Sequence, residues 1–521
     1  MSFRKNILPL CDILLINVNR NSMIDLINQL NDFLWGYIVI AMMVGCALYF
    51  TVRFKAVQFT MIGEMWHLLT HSTKKTDTLK DTMEAGYATA TDEKEKKAIS
   101  PFRAFAVGLS SRVGTGNLAG VASAIFIGGP GAVFWMWLMA LLGASSSFVE
   151  SSLAQLYKRR DKEGGVYYGG PAYYMQYGMH KRWMGIIFAV LITLSYSLAT
   201  QLVQAKTMAD AFSVSIDMAM GNAPGTSIIY VGIAVTIATA LIIFGGIQRI
   251  SRFAALVVPV MAIGYMLLAL YVILTNITAI PGVIRLIINS AFGIGPAAGG
   301  MVGLAVMQGV KRGLYSNEAG EGSVPNAAAI AETSHPVKQG LLQALGVFCD
   351  TIIICTCTAF IVLISGLYTN GEDGILLTQS ALEHEMGPIG RYFLTVAILL
   401  FAYSTIIAGY FYGETNIRFI FGKNANPNGS VRNEKIAILF FRLATAGVIL
   451  AGSVMTLQDS FSIVDLLMGF MTITNLIAII WLSPRVKILL DDYLRQRKEH
   501  KDPVFSKSVM PKELQDDIEC W

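Results

Sequence analysis

Apolar stretches long enough to cross a lipid bilayer recur along the chain from Asp32 to the mid-480s, and short polar or charged segments separate them. A spanning helix needs about 20 mostly apolar residues, and breaks at glycine, proline and charge clusters divide the pattern into eleven such helices. The predicted spans are residues 32–52, 102–127, 131–157, 184–204, 226–246, 253–275, 292–310, 339–367, 390–413, 436–456 and 463–485. The pattern therefore predicts an all-α integral membrane protein with its termini on opposite sides of the membrane.

The distribution of lysine and arginine provides an independent test of this topology. One side of the predicted membrane holds 32 of the 40 basic residues, in the loops 53–101, 158–183, 247–252, 311–338 and 414–435, at Arg103 and in the tail from residue 485. The other side holds six, and Arg112 and Arg442 lie within spans. Because cytoplasmic loops carry the excess of basic residues, the N-terminus is predicted outside and the C-terminus in the cytoplasm.

Composition supports this class of protein and excludes others. Hydrophobic residues make up 54% of the 521 residues and charged residues 14%, against about 25% charged in soluble domains. The net charge of +5 reflects topology, so it does not indicate a nucleic-acid partner. The six cysteines have no zinc-like or redox CxxC spacing, which favours small apolar thiols within helices over metal ligands.

The pattern divides the chain into three segments. Residues 1–31 are predicted as an N-terminal extension, residues 32–485 as the transmembrane domain and residues 486–521 as a charged cytoplasmic tail. Residues 1–22 lack the features of a cleavable signal peptide, because Asp12 interrupts their apolar run, and Met23 opens a more natural start. The loop from Ser72 to Ser100 mixes both charge signs and is predicted as a cytoplasmic helix or a disordered insertion.

The second predicted span contains a polar and glycine-rich interruption at the depth of the membrane centre, from Ser110 to Asn117. A spanning helix satisfies its own backbone hydrogen bonds, so a break is tolerated only where it is buried in protein or lines a cavity. Unwinding here would offer amide N–H groups to a carboxylate and carbonyl oxygens to Na⁺. The alternative is a glycine-rich contact between packed helices.

The seventh span contains Gly293, Gly295, Pro296, Gly299 and Gly300 and is predicted as a second interrupted helix. The two interrupted spans lie five apart, which is the spacing of two five-helix inverted repeats with a site at their interface. This correspondence favours a binding site over helix packing alone.

The segment Lys311–Ser323 follows the seventh span and is predicted to be cytoplasmic, with Ser316 or Asn317 capping a helix. Its acids Glu318 and Glu321 are interpreted as structural or gating groups, and proton carriage is the alternative.

Two further features of the spans are polar. Ser404 and Thr405 place adjacent hydroxyls in the otherwise apolar ninth span. Such hydroxyls often bond to their own helix, but they are also the hard oxygen ligands that Na⁺ needs. Arg112 is costly at membrane depth and must face protein or water. It either neutralises a carboxylate or stabilises the broken helix.

Three blocks of the sequence resemble the alanine/glycine:cation symporter family, also called the sodium:alanine symporters. The first block is residues 111–121 (SRVGTGNLAGV) with 128–137, and the second is residues 245–250 (GGIQRI). The third is Lys311–Ser323, continued through Pro336, Gln339, Gly340, Asp350 and Thr351. The similarity runs from near Trp35 to Leu482, which is most of the chain.

The resemblance implies a leucine-transporter-like architecture, in which a five-plus-five inverted repeat follows one extra N-terminal helix. It implies symport of a small neutral amino acid (alanine, glycine or glutamine) with Na⁺, and proton coupling is the alternative. It also implies a multi-pass protein of a bacterial or archaeal plasma membrane.

The resemblance further implies the site residues. The substrate carboxylate would bind the amides of Thr115 and Gly116, and the rest of the substrate site would contain Asn117, Gln204, Gly299, Gly300 and Gly409. The sodium site would combine the carbonyls of Ser110 and Val113 with the hydroxyls of Ser404 and Thr405.

Two positions depart from the family pattern. Members that carry alanine or glycine often have Gly-Trp where this chain has Ala408-Gly409. The smaller residue predicts a larger pocket and a longer neutral side chain, such as that of glutamine. Lys206, after Gln204, replaces a common asparagine, which weakens the case for a polar role at that position.

The spans lack a nucleophile–base pair, suitably spaced catalytic carboxylates and metal-ligand clusters, so no enzymatic activity is expected. The remaining alternative is a channel or receptor that shares the fold. That alternative predicts binding without Na⁺-dependent accumulation.

Overall fold

The computed structural model describes residues 23–71, 99–160, 166–223, 225–243, 246–294, 302–423, 425–426 and 429–521. Within these residues, eight helices are long and apolar enough to cross a membrane, and three shorter apolar helices accompany them. The predicted segment 1–22, most of the predicted loop Ser72–Ser100 and the glycines at 295–300 lie outside the described residues.

The main helices of the described chain are, in order, α1 (Met23–Arg53), α2 (Pro101–Arg112), α3 (Gly116–Gly128), α4 (Ala132–Leu156), α5 (Arg182–Met220), α6 (Ile228–Ile243), α7 (Gly246–Thr275), α8 (Ile280–Ala291), α9 (Val302–Asn317), α10 (Pro325–Ala329), α11 (Pro336–Ser365), α12 (Gly374–Met386), α13 (Pro388–Phe421), α14 (Val431–Val454) and α15 (Leu457–Lys498). Short helical turns lie at Val57–Thr60, Pro171–Tyr173, Tyr174–Gly178, Ile277–Ala279, Leu367–Thr369, Lys507–Val509 and Lys512–Gln515. A small antiparallel hairpin pairs β1 (Arg159–Arg160) with β2 (Tyr167–Tyr168).

Each of the eleven predicted spans overlaps a helix, and the all-α prediction is confirmed. The seventh span is displaced: the prediction was 292–310, and α9 extends to Asn317. The sequence pattern also missed α8 and α12, which are too short to span. The helix α8 buries Val283, Ile287 and Ala291 on one face, as expected for an amphipathic helix that lies against the spans.

Local sequence explains where α2 begins and ends. The Ser100 hydroxyl accepts a hydrogen bond from the Arg103 amide at 3.3 Å, and Pro101 occupies the first helical position. Both features favour helix initiation, since proline has no N–H to leave unpaired there. The helix ends at Arg112, because Val113 takes the non-helical dihedrals φ −80° and ψ 84°.

The helix α4 lies at the centre of the molecule and is buried along nearly all of its second half. It packs closely on α9 and α11 through small residues. An added Cβ at Gly340 of α11 would lie 2.8 Å from the Phe148 carbonyl and would overlap the Ser152 hydroxyl. Such close backbone approach is a common way for helices to associate in membranes, where hydrophobic burial alone gives little preference for one partner.

The end of the chain is more ordered than the sequence pattern suggested. The helix α15 continues beyond the predicted span to Lys498, and the following residues pack back on the protein. Phe505 donates its amide to the Ser334 carbonyl at 2.8 Å, and the Trp521 indole donates to the Gln155 carbonyl at 2.9 Å. We call the surface formed by residues 155–160, 166–182, 330–338 and 499–521 the tail-bearing face.

Candidate functional site

The first interruption separates α2 from α3 at Val113, Gly114 and Thr115 and is fully buried. Asn117 stabilises it, because its Oδ1 accepts a hydrogen bond from the Gly114 amide at 2.8 Å. The first residues of α3, Gly116–Gly120, form a π-helical turn, a feature that is frequent at functional sites. The predicted interruption at Gly114–Asn117 is therefore present.

A second interruption lies at residues 318–324, between α9 and α10, within the segment that the sequence pattern assigned to a cytoplasmic loop. Glu318, Gly320 and Gly322 have φ angles of 55°, 87° and 88°, and glycine is favoured at such left-handed positions because it has no Cβ. Ser316 and Asn317 end a helix here, contrary to the predicted cap: the Asn317 side chain accepts from the Ala319 amide at 3.0 Å. The break predicted at Gly293–Gly300 lies mostly outside the described residues and stays a prediction; the helices on either side end at Ala291 and begin at Val302.

The two interruptions meet in space. The Ser111 hydroxyl donates to Glu318 Oε1 at 2.5 Å. An added Cβ at Gly116 would lie 3.0 Å from the Tyr315 ring and 3.2 Å from the Ser316 Cα. The first break and the break after α9 are therefore in direct contact.

The predicted sodium ligands lie on both sides of the first interruption. Thr405 Oγ1 of α13 lies 3.0 Å from the Ser110 carbonyl oxygen and 3.4 Å from that of Ser111. An added Cβ at Gly114 would overlap the Thr405 hydroxyl, so this glycine permits the approach. Ser404 is buried beside Thr405 and donates to the Phe401 carbonyl at 2.9 Å. Val113 is buried within the break itself.

The predicted substrate residues fall into three groups. Thr115, Gly116 and Gln204 surround Tyr315, whose hydroxyl lies 3.5 Å from Gln204 Nε2. The Asn117 side chain instead contacts α11, where its Nδ2 donates to Asp350 Oδ1. Gly409 lies against α5, where an added Cβ would be 2.7 Å from Gln201 Nε2 and 2.8 Å from the Tyr196 carbonyl oxygen. Gly299 and Gly300 lie outside the described residues.

Lys206 does not belong to this group. Its ammonium pairs with Asp210, one turn along α5, at 2.7 Å.

Four acids at the two interruptions were missed or underrated by the sequence argument: Glu150, Glu318, Glu321 and Asp350, all fully buried. Glu150 accepts from the amides of Gly320 and Gly322 at 3.2 and 3.1 Å. Glu321 accepts from the Tyr196 hydroxyl. The available signal was an ionisable residue inside an apolar span, which is costly there and marks a functional position by default.

One arginine lies among these acids. Arg112 donates to the Gln343 carbonyl and to the Ser147 hydroxyl, both at 2.8 Å. Its direct contacts tie the end of α2 to α4 and α11, and its charge also acts on the carboxylates of Glu150, Glu318 and Asp350, so both predicted roles stay open. Among the ion pairs of the described chain, none joins Arg112 to a carboxylate.

Three buried charged residues, Lys311, Arg312 and Asp465, lie beside the site on the side away from the tail-bearing face, and we call them the charged layer. Arg312 Nη2 lies 2.5 Å from Asp465 Oδ2, and the Lys311 ammonium is 3.9 Å from the same oxygen. The Arg312 guanidinium lies over the Phe461 ring, 3.9 Å from its centroid, and the Tyr315 ring meets Phe461 edge-on at 5.4 Å between centroids. Lys311 and Arg312 are therefore buried members of α9, and their prediction as loop residues was wrong.

Two interrupted helices that meet at a buried polar centre in an all-α membrane protein define a secondary transporter of the leucine-transporter type. Among solved structures, the crystal structure of MhsT in complex with L-phenylalanine has a similar fold. It aligns with a TM-score of 0.51 at 16% identity, over 72% of this chain and 88% of that chain.

The chain belongs to the sodium:alanine symporter family, which it matches over residues 20–507. It is 46% identical over 492 residues to the probable sodium/glutamine symporter GlnT of Bacillus subtilis (strain 168), covering 94% of each chain. It is 44% identical over 486 residues to the amino-acid carrier protein AlsT of the same organism, covering 93% of this chain and 95% of AlsT. The protein is thus a multi-pass membrane symporter of amino acids and cations, and not an enzyme.

Proposed function

We propose that this protein moves a neutral amino acid, glutamine in the first place, together with Na⁺ down the Na⁺ gradient. The observation that carries the proposal is the meeting of Thr405 Oγ1 with the Ser110 carbonyl oxygen at 3.0 Å, directly beside the unwound residues 113–115. Carbonyl and hydroxyl oxygens are suitable ligands for a hard cation. The amides of Thr115 and Gly116 are next along the chain and supply donors for a substrate carboxylate.

Charge supports a cationic cargo. Four buried acids lie at the interruptions together with the buried Arg112, while the other buried arginine beside the site, Arg312, is paired with Asp465. A surplus of buried negative charge is costly at low dielectric unless cations or protons compensate it. Binding of Na⁺ next to these acids would reduce that cost, and this favours entry of the ion before or together with the substrate.

Proton coupling is the second candidate. Glu318 is buried between the hydroxyls of Ser111 and Ser323, both of which donate to its carboxylate. A carboxyl group in such a position can carry a proton between the two interruptions. Na⁺ remains the first choice, because the oxygens at Thr405 suit a metal ion and have no titratable member.

Glutamine is the proposed cargo for two reasons. The space beside Gly409 is filled by Gln201 Nε2 and the Tyr196 carbonyl oxygen, so the larger pocket predicted there is not open in this conformation. Within the described residues, the Oε1 atoms of Gln201 and Gln204 are buried without a hydrogen-bond donor. A buried amide oxygen without a donor favours a ligand that brings one, such as a carboxamide side chain. GlnT, named as a probable sodium/glutamine symporter, is among the similar relatives.

The basic residues support a matching orientation. We propose that the tail-bearing face is cytoplasmic and that the start of α1 lies outside, in a bacterial or archaeal plasma membrane. The tail-bearing face contains the buried basic residues Lys158, Arg159 and Lys338, in keeping with the excess of basic residues on the cytoplasmic side.

Uptake by proteoliposomes tests the function directly. Labelled glutamine, alanine, glycine and serine are offered with an inward Na⁺ gradient, with choline in its place, and with an inward proton gradient alone. We expect accumulation above equilibrium only with the Na⁺ gradient, and the highest kcat/KM for glutamine. Equal accumulation in choline and Na⁺ would rule out Na⁺ coupling, and accumulation driven by the proton gradient alone would favour the second candidate. Saturable binding without accumulation would instead indicate a channel or receptor.

A further inference from the structure

The halves of the two interrupted helices that reach the tail-bearing face are α2 and α10, and they are joined to each other there. Ile99 precedes α2 and forms a parallel bridge with Ala331, which follows α10. The Glu332 amide donates to the Ile99 carbonyl at 2.9 Å. A displacement of either half therefore acts on the other half through this bridge.

Two side chains at the end of α4 hold the end of α10. Gln155 Nε2 donates to the carbonyl oxygens of Ala328 and Ala331 at 2.5 and 3.1 Å. The Lys158 ammonium donates to the Ala331 carbonyl and to Gln155 Oε1, both at 2.9 Å. The last carbonyl groups of a helix have no partner within that helix, so this network satisfies α10 where it ends.

Trp521 covers the network from the outside. Its indole N–H donates to the Gln155 carbonyl at 2.9 Å, and its ring lies over the Lys158 ammonium at 4.6 Å. Lys158 is only 2% exposed. An aromatic face attracts an ammonium group, and hydrogen bonds are stronger where water is excluded. The docked tail therefore strengthens the hold of α4 on α10.

The first part of the tail holds the segment that follows α10. The Phe505 amide donates to the Ser334 carbonyl at 2.8 Å, and Asp502 pairs with Lys338. The Phe505 and Trp521 rings meet edge-on at 5.5 Å between centroids. The two parts of the tail therefore form one unit.

This unit runs from α15 to α4 across the end of the second interrupted helix. It starts after Lys498, where α15 ends, passes residues 334–338 and reaches Gln155. Transporters of this fold work by moving one set of helices against another around a fixed site. Opening on the tail-bearing face requires α2 and α10 to separate from the helices around them, and the docked tail resists that movement.

We propose that residues 502–521 form a latch that holds the tail-bearing face closed. Trp521 is its main positioning residue, because it acts on α10 through Gln155 and Lys158. The tail has to undock before α2 and α10 separate, so the latch limits how often this face opens. The inference is independent of the cargo, since it uses only the two interrupted helices and the tail.

The test is hydrogen–deuterium exchange of the purified full-length protein, followed in residues 99–112 and 325–338. Trp521→Ala removes both the ring and the indole donor. Trp521→Phe keeps a ring over Lys158 and removes only the donor, so it separates the two contributions.

Val504→Ala is the matched control, because Val504 belongs to the tail but is 61% exposed. The reference helix is α12, where Thr378 contacts Leu118 of α3, the other half of the first interrupted helix. Asp502→Asn carries the test if the Trp521 variants do not fold, because the Asp502 side chain is 62% exposed and weakens the latch at its other end.

We expect Trp521→Ala to speed exchange about tenfold in residues 99–112 and 325–338, because a hydrogen bond and a cation–π contact are lost together. Exchange in Trp521→Phe should lie between this variant and wild type. Asp502→Asn should speed exchange about twofold in residues 325–338, and α12 should be unchanged in all variants.

Two results would overturn the latch. If only the tail loses protection while both ranges match Val504→Ala, the tail is a passive attachment to the face. If α12 loses as much protection as α2 and α10, Trp521 supports the fold as a whole. Neither result bears on Na⁺ or glutamine, which the uptake experiment tests separately.

Discussion

At the scale of single residues, the site depends on one glycine and one threonine. Gly114 lies in the first break, where it has no side chain to separate the backbone from Thr405 of α13. The contact between Thr405 Oγ1 and the Ser110 carbonyl oxygen at 3.0 Å follows from this close approach. Any side chain at position 114 must displace the oxygens that we assign to Na⁺.

We therefore expect Gly114→Ala to lower Na⁺-driven uptake at least tenfold. The added methyl overlaps the Thr405 hydroxyl, and inserting a methyl into packed protein typically costs about 1–3 kcal/mol. Gly264→Ala in α7 is the matched control, because an added Cβ there meets nothing within 4 Å. Initial uptake rates at several Na⁺ concentrations are the measurement. Wild-type rates and Na⁺ dependence in Gly114→Ala would show that the break does not hold the ion.

Several residues of the site were accessible to sequence reasoning and others were not. Gly114, Asn117 and Thr405 were found because a polar cluster within an apolar span requires an explanation. Glu150 and Asp350 were missed, because a single acid in an apolar helix gives no indication of its partners on other helices. Gly409 was noticed only through the family pattern, and its contact with Gln201 depends on helix packing that no local sequence encodes.

At the scale of helices, α9 and α15 are joined across the charged layer above the site. The pair of Arg312 with Asp465 is nearly fully buried, and the Trp35 indole of α1 donates to the Asp465 carbonyl at 3.0 Å. The N-terminal helix α1 thus contacts α15 at Asp465, the same residue that pairs with Arg312 of α9. We regard this layer as closed in the present conformation, because the ion pair and the Phe461 ring both span it.

Asp465→Asn is expected to destabilise the protein by about 3–5 kcal/mol, because it leaves Arg312 buried without its partner. The control is Asp491→Asn on the same helix, which removes the exposed pair with Lys487 and should cost at most about 1 kcal/mol. Equilibrium unfolding in mixed detergent micelles gives the two free energies. Equal losses in both variants would mean that the Arg312 pair is not a buried tie between α9 and α15.

Helix prediction succeeded where apolar length alone decides and missed a break that is formed by charged residues. Spans such as α4 and α13 are long and apolar, and they appear as the hydropathy pattern predicts. The break after α9 was not predicted, because Gly320 and Gly322 are surrounded by charged residues that resemble a soluble loop. Glu318 and Glu321 are buried there and accept hydrogen bonds from Ser111 and Tyr196, which lie far away in sequence.

At the scale of the whole molecule, the tail links distant parts of its own face. The Trp521 ring covers the Lys158 ammonium at 4.6 Å, and the Asp502 carboxylate pairs with Lys338. His335 is buried between the rings of Tyr493 and Phe505 and lies 3.5 Å from Asp492. Burial lowers the pKa of His335 to about 4, although the Asp492 carboxylate acts in the opposite direction.

The docked tail should therefore loosen in acid. An undocked histidine has a pKa of about 6.5, so the docked state, with its lowered pKa, is favoured above that pH. Its advantage is lost as the pH falls from 6.5 toward 4, because the undocked state then binds more protons. Hydrogen–deuterium exchange of residues 499–521, corrected for intrinsic rates, should show roughly tenfold less protection at pH 5 than at pH 7.5.

The control for this pH effect is His335→Gln, which has no group that titrates in the range. Its tail should show the same protection at both pH values. A pH response of equal size in the variant would assign the effect to other groups of the tail-bearing face, such as Asp492 or Lys338.

The central claim is that Na⁺ at Thr405 and an amino acid at the adjacent break bind as a coupled pair. The most direct measurement is the Kd for glutamine in Na⁺ and in choline, for wild type and for Thr405→Val, which keeps the shape and removes the oxygen. Coupling between two sites is typically worth about 5–150-fold in affinity, so Na⁺ should lower the wild-type Kd by a factor in this range and have little effect in Thr405→Val. A wild-type Kd that is the same in Na⁺ and choline would contradict the account.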